Sequence, residues 1–180
     1  MYVNARSFID GVNAVKNGNE KIGWAMIGLS LVGGGASAVV LKQEIATVQN
    51  AAAKAIMTAQ LRAQGVKFTD ENIVAMTRMP DGKIVFLEKG QVDVPNMKDA
   101  GMAHIIKEHG AEFEMAGVGA DKIPKFLIDT LESGKLLGHQ GKGQGRPIFE
   151  TVVNGVPVKV AITVSSNGYI VGANYLGKIK

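Results

Sequence analysis

The sequence predicts an α+β fold, an N-terminal helical segment followed by a small domain with two helices packed on one side of a twisted antiparallel sheet. Three observations carry this. Pro80-Asp81-Gly82 sits between two apolar runs, as a hairpin turn does. Two segments between residues 96 and 134 repeat apolar residues at helical spacing. The last third alternates apolar and polar residues between the tight-turn sequences Asn154-Gly155 and Ser166-Asn167-Gly168.

The residues divide near Gly65, giving 1–64 as a helical, apolar segment and 65–180 as the domain. Ile22 to Leu41 is almost wholly apolar between Lys21 and Lys42. It approaches the roughly 20 residues that cross a bilayer. Gly33-Gly34-Gly35 lowers both its helix propensity and its hydrophobicity. The favoured reading is a buried or partner-packed helical hairpin, with membrane contact as the alternative. Gln43 to Gln64, Ala-rich and free of Gly and Pro, reads as one helix ended by Gly65.

In the domain, Ile73 to Met79 and Lys83 to Lys89 form the hairpin. Asn96 or Asp99 then caps a helix that Gly110 closes, with Met102, Ile105, Ile106 and His109 on one face. A second helix runs from Asp121 as cap to Ser133, with Ile123, Leu127, Ile128 and Leu131 inward and Pro124 tolerated in the first turn. Three strands follow, Pro147 to Val153, Val156 to Val164 and Tyr169 to Ala173. In the middle strand Val156, Val158, Val160, Ile162 and Val164 face the core, leaving Lys159, Thr163 and Ser165 on the other side.

Composition bounds the chemistry. The 180 residues hold no cysteine, which excludes a thiol nucleophile, a thiolate zinc site and any disulfide. A net charge of +4 allows a polyanionic partner without requiring one. Aromatic residues make up only 6%, too few for a base-stacking sheet.

All three histidines fall between residues 104 and 139. Imidazole is the side chain whose ordinary pKa lies near neutrality, so acid–base chemistry is expected here. His104 and His109 are five residues apart, about 140° around a helix, which is not the four-residue spacing of a helical zinc pair. No metal and no cofactor is expected. His109, placed near the helix end, would feel the negative end of the dipole and suit a general acid. His139 precedes, and Lys142 lies in, a Gly-rich run, Gln140 to Gly145, that leads into Arg146 and offers amides and cations to a phosphate. Lys159, Thr163 and Tyr169 belong to the sheet. Each of these positions also has an ordinary structural explanation, as core edge, surface loop or solvated strand face.

Four stretches carry a resemblance: Gly82-Lys83-Ile84-Val85-Phe86-Leu87-Glu88-Lys89-Gly90, Gly101-Met102-Ala103-His104-Ile105-Ile106-Lys107-Glu108-His109, Gly145-Arg146-Pro147-Ile148-Phe149-Glu150, and Ser166-Asn167-Gly168-Tyr169-Ile170-Val171-Gly172-Ala173-Asn174. Phe68 to Lys180 resembles the C-terminal toxin modules of bacterial polymorphic toxins, including contact-dependent growth inhibition effectors. Such modules are similar to the barnase, EndoU, colicin and RelE group of metal-independent ribonucleases. The resemblance implies cleavage of RNA, with tRNA the favoured substrate, by transesterification to a 2′,3′-cyclic phosphate. His104 and His109 would exchange protons with the ribose and the leaving oxygen. The third group is Lys107, Lys142, Arg146 or Thr163, while Thr163 and Tyr169 would orient the phosphate. Lys142, Lys159 and His139 would bind substrate.

The resemblance also implies a secreted or cell-surface effector delivered into the cytoplasm of a target bacterium, a cognate immunity protein, and a monomer when free. Residues 1–64 would be the end of a cytoplasm-entry region that meets an inner-membrane receptor, within a longer parent polypeptide. The alternative function is a membrane-active or receptor-binding delivery module without catalysis.

Overall fold

The computed structural model describes residue 13 and residues 38–141 and 145–179. The fold is α+β, and the chain divides into two compact units at Gly65. Among the described residues of the first unit, helix α1 spans Ala38–Ala63. It begins inside the apolar stretch read from Ile22 to Leu41, whose residues 22–37 lie outside the described residues. Among the described residues no helix is long and apolar enough to cross a membrane.

The second unit opens with a 3-10 turn, Asp70–Asn72, and the hairpin of β1, Ile73–Arg78, and β2, Ile84–Glu88. Its register matches Met76 with Phe86 and Arg78 with Ile84 across the Pro80-Asp81-Gly82 turn. Two helices follow, α2 over Gly101–Met115 and α3 over Ile123–Ser133. The chain then forms a four-stranded antiparallel meander, β3 Lys135–Gln140, β4 Arg146–Val153, β5 Val156–Val164 and β6 Ile170–Lys178, in that spatial order. The hairpin is a separate two-stranded sheet, tied to the meander by a parallel bridge between Phe86 and Tyr169.

Alternation in β5 holds over its middle: Val158, Val160 and Ile162 are buried, joined by Phe149, Ile170 and Ala173 from the neighbouring strands, whereas Val164 is only half-buried and Val156, expected inward, is exposed beside the Asn154-Gly155 turn. From the helices come Met102, Ile105, Phe113, Ile123, Leu127 and Leu131, all in the same core. Each fully buried aliphatic side chain contributes about 1.5–3 kcal/mol of burial free energy. Ile162, with no exposed surface, sits at the centre, and its truncation to Ala would cost roughly 2–5 kcal/mol.

Several expectations need correction. The first long helix is not capped by Asn96 or Asp99: Ala100 occupies the cap position without a side-chain bond, and the amide of Ala103 donates to the Lys89 carbonyl. Asp99 instead accepts a bond from the Asp93 amide. The helix also passes through Gly110 and ends at Met115, two residues before Gly117, whose φ of +88° lets the Val118 amide reach back to the Phe113 carbonyl. Ile106 is 43% exposed, and Phe113 takes its place in the buried stripe after Met102 and Ile105. The second helix starts at Ile123, with Lys122 rather than Asp121 at its cap.

The last correction concerns the sheet. Lys135–Gln140, where no strand was expected, is an edge strand paired antiparallel with β4, so the meander has four strands rather than three. Its residues are mostly exposed, hence no apolar alternation marked them in the sequence. The last strand runs on to Lys178, beyond the expected Ala173.

Candidate active site

Helix α2 packs along β6, an edge of the meander. Met102 and Ile105 enter the core, while the ring of His104 rests on Gly172 of β6: a Cβ built there would stand 3.3 Å from Cδ2 and 3.5 Å from Nε2. The absent side chain makes room for the imidazole. His109 lies 6.2 Å away, ring centroid to centroid, at an interplanar angle of 83°. The helix is continuous between them, so the two rings meet by leaning toward a shared flank rather than by fraying. His109 is also well inside the helix, not in its last turn, and the expected dipole contact is absent.

Register assigns the rest. Residues directly opposite in an antiparallel sheet point to the same face. Thr163 faces Gly172 and Ala161 faces Asn174, and Ala161 in turn faces Ile148 of β4. Two residues along β4 from Ile148 is Arg146, on that face again. Nη1 of Arg146 donates to Oδ1 of Asn174 at 2.6 Å, a charge-assisted bond that anchors the guanidinium, whose other donors have no partner among the described residues. Gly172 and Ala161, the residues between these side chains, are small and buried.

Polar groups left over mark this place as a site. Nδ1 of His104, Nδ1 of His109, Oε2 of Glu112 and Oγ1 of Thr163 are buried without a hydrogen-bond partner among the described residues. Glu112 and His109 come within 3.2 Å, close enough for ionic attraction but out of line for a hydrogen bond. Folded proteins leave few such atoms, and their concentration beside α2 and the adjoining sheet face suits a polar ligand that completes them.

Other nominated residues stand elsewhere. Lys107 is held by Asp93 at 2.6 Å and Asp99 at 3.5 Å. The Asp93 hydrogen bond, opposed in part by desolvation, keeps its ammonium pKa above the ordinary value. It is therefore a neutralised surface cation rather than a free one. His139 is exposed on β3 opposite Pro147, one residue out of phase with Gln140 and Arg146, and so points to the other face. Lys159 shares the Thr163 face but is four residues along β5, about 13 Å away, and lies opposite Glu150. Lys142 lies outside the described residues. The hydroxyl of Tyr169 packs over Gly101 at the start of α2, and its ring lies against that of Phe86, tilted by 42° with centroids 5.7 Å apart. Burial, with the Glu88 charge adding to it, pushes its pKa up.

Sequence reasoning passed over Asn174 and Glu112. Asn174 carried no signal of its own, because only the fold brings it to Arg146. Glu112 did have one, standing three residues after a histidine on a helix, the spacing of facing side chains. An open groove of about 380 Å³ beside Lys122, Lys125, Phe126, Val152 and Asn154 contains none of these residues. No protein-family model matches the chain, and no curated protein matches it.

Proposed function

We propose that Val66–Lys180 is an endoribonuclease acting as a toxin, cleaving RNA by metal-independent transesterification. The observation that carries this reading is the pair of imidazoles 6.2 Å apart, on the flank of the sheet face that holds Thr163 and the Arg146–Asn174 pair. Two imidazoles at this separation can serve the two ends of one phosphodiester transfer. One takes the proton from the ribose 2′-hydroxyl as that oxygen attacks phosphorus. The other protonates the departing 5′-oxygen, so a 2′,3′-cyclic phosphate and a 5′-hydroxyl remain. Arg146, held by Asn174, offsets charge that builds on the phosphoryl oxygens. Thr163, with an unused buried hydroxyl, contacts the phosphate.

The biological setting follows from the resemblance set out above: an effector delivered into a competing bacterium, with tRNA as the favoured substrate and an immunity protein guarding the producer. The test is direct. The full chain is incubated with total RNA in excess chelator, and the fragments are resolved and analysed at their ends. Discrete fragments with cyclic-phosphate ends are expected; intact RNA, or cleavage only after metal is restored, overturns the proposal.

A further inference from the structure

Asp99, His104 and Glu108 each bring one potential ligand atom to a common point, all within 4.8 Å of one another. Asp99 ends the segment before α2, and His104 and Glu108 are four residues apart on it, stacked on one face. One imidazole and two carboxylates are a donor set that zinc-class divalent cations accept. Nδ1 of His104 is buried and has no hydrogen-bond partner among the described residues, so the ring has a nitrogen that no protein group claims.

We propose that Asp99, His104 and Glu108 form a divalent-cation site, zinc being the best-matched ion, and that a bound cation switches the ribonuclease off. The inhibitory part rests on the function proposed above, whereas the binding part does not. A neutral imidazole has a single nitrogen lone pair, and coordination uses it. A metal-bound His104 has nothing left with which to accept a proton.

The geometry needs little adjustment. Tetrahedral zinc with bonds of roughly 2.0–2.1 Å places its ligand atoms about 3.4 Å apart, so the widest pair closes by at most about 1.4 Å. Glu108 is exposed and can turn inward. Lys107 is the competing cation, with Nζ 3.5 Å from Asp99 and 3.9 Å from Glu108. Its closest partner is Asp93 at 2.6 Å, which retains the ammonium when a doubly charged ion takes the other two carboxylates. Lys107 thus sets the threshold for binding.

The experiment is calorimetric titration of the full, chelator-treated chain with Zn²⁺, repeated on three variants. One saturable site is expected in the parent protein. A ligand matters at least as much as an outer-sphere partner, so Glu108→Gln should weaken it about tenfold or more. Lys107→Gln should bind more tightly, and Glu112→Gln, altered beside His109 instead, should bind as the parent does. Equal affinity in Glu108→Gln and the parent, no gain in Lys107→Gln, or a loss confined to Glu112→Gln overturns the site. RNA cleavage is followed in parallel, where Zn²⁺ should inhibit the parent chain and the Glu108→Gln variant should resist. Binding without inhibition overturns the switch. Absence of cleavage in metal-free protein overturns the ribonuclease reading alone, and calorimetry still decides the cation site.

Discussion

His104 on α2 and Gly172 on β6 fit together as ring and vacancy: the imidazole lies where any side chain at position 172 would have to go. A Cβ at 3.3 Å from Cδ2 is tight enough to push the ring aside but small enough for the backbone to absorb. Gly172→Ala should therefore lower kcat well before it lowers stability, and Gly172→Val should abolish cleavage. Side-by-side kcat and urea-midpoint measurements check this. An alanine variant with unchanged kcat would mean that the ring position does not matter.

The imidazoles themselves should dominate the rate. His104→Ala and His109→Ala are each expected to reduce cleavage by roughly 10²- to 10⁴-fold, the usual general acid–base contribution. Circular dichroism should remain that of the parent, because neither ring is part of the apolar core. Full activity in both variants rules the two histidines out.

Arg146 and Asn174 offer a graded pair. Loss of the guanidinium in Arg146→Ala removes an electrostatic contact to the reacting phosphate and should cost about 10²- to 10³-fold in kcat. Asn174→Ala leaves the charge in place but releases its anchor, so a smaller loss of about tenfold is expected, the size of one charge-assisted hydrogen bond. Arg146→Lys should not restore the parent rate, since an ammonium lacks the planar fork that serves Asn174 and a phosphate together. Equal kcat losses in Asn174→Ala and Arg146→Ala would show that the anchor and the charge are one function.

Tyr169 gives a pH signature of folding rather than of catalysis. Its hydroxyl titrates above the ordinary value of 10.0 in the folded chain, because burial and Glu88 disfavour the phenolate. The unfolded chain releases that proton first as pH rises, so above about pH 10 it binds fewer protons than the folded one, and stability falls. This loss is absent below the unfolded value and complete once the folded value is passed. Urea midpoints measured from about pH 9 to pH 11 should drop more steeply in the parent than in Tyr169→Phe; parallel curves would contradict the assignment.

Local chemistry announced much of this fold. The Val158–Val160–Ile162 alternation, the Ile123–Leu127–Leu131 stripe and the Pro80-Asp81-Gly82 turn are patterns in which neighbouring residues alone decide the geometry, and each forms as read. The failures share a different cause. The start of α2 is stabilised by a carbonyl from Lys89, a backbone group that no side-chain cap pattern records. Gly110 did not end the helix, because Phe113 one turn later is fully buried and its packing offsets the low helix propensity of one glycine, about 1 kcal/mol. Strand β3 is exposed and pairs through its backbone with β4, so its side chains carry little of the signal.

The sequence by itself determined the α+β class, the order of the hairpin, the two helices and the last three strands after Gly65, the inward face of the middle strand, and the histidine-bearing helix as the place to look for chemistry. Only the tertiary structure decided which partners that helix meets. It set His104 on Gly172 and Arg146 on Asn174, and it gave Lys107 to Asp93 and Asp99. The physical reason is distance along the chain. Periodicity and turn chemistry act over a few residues, whereas a site joins groups dozens of residues apart, brought together by strand register and by helix packing on a sheet edge.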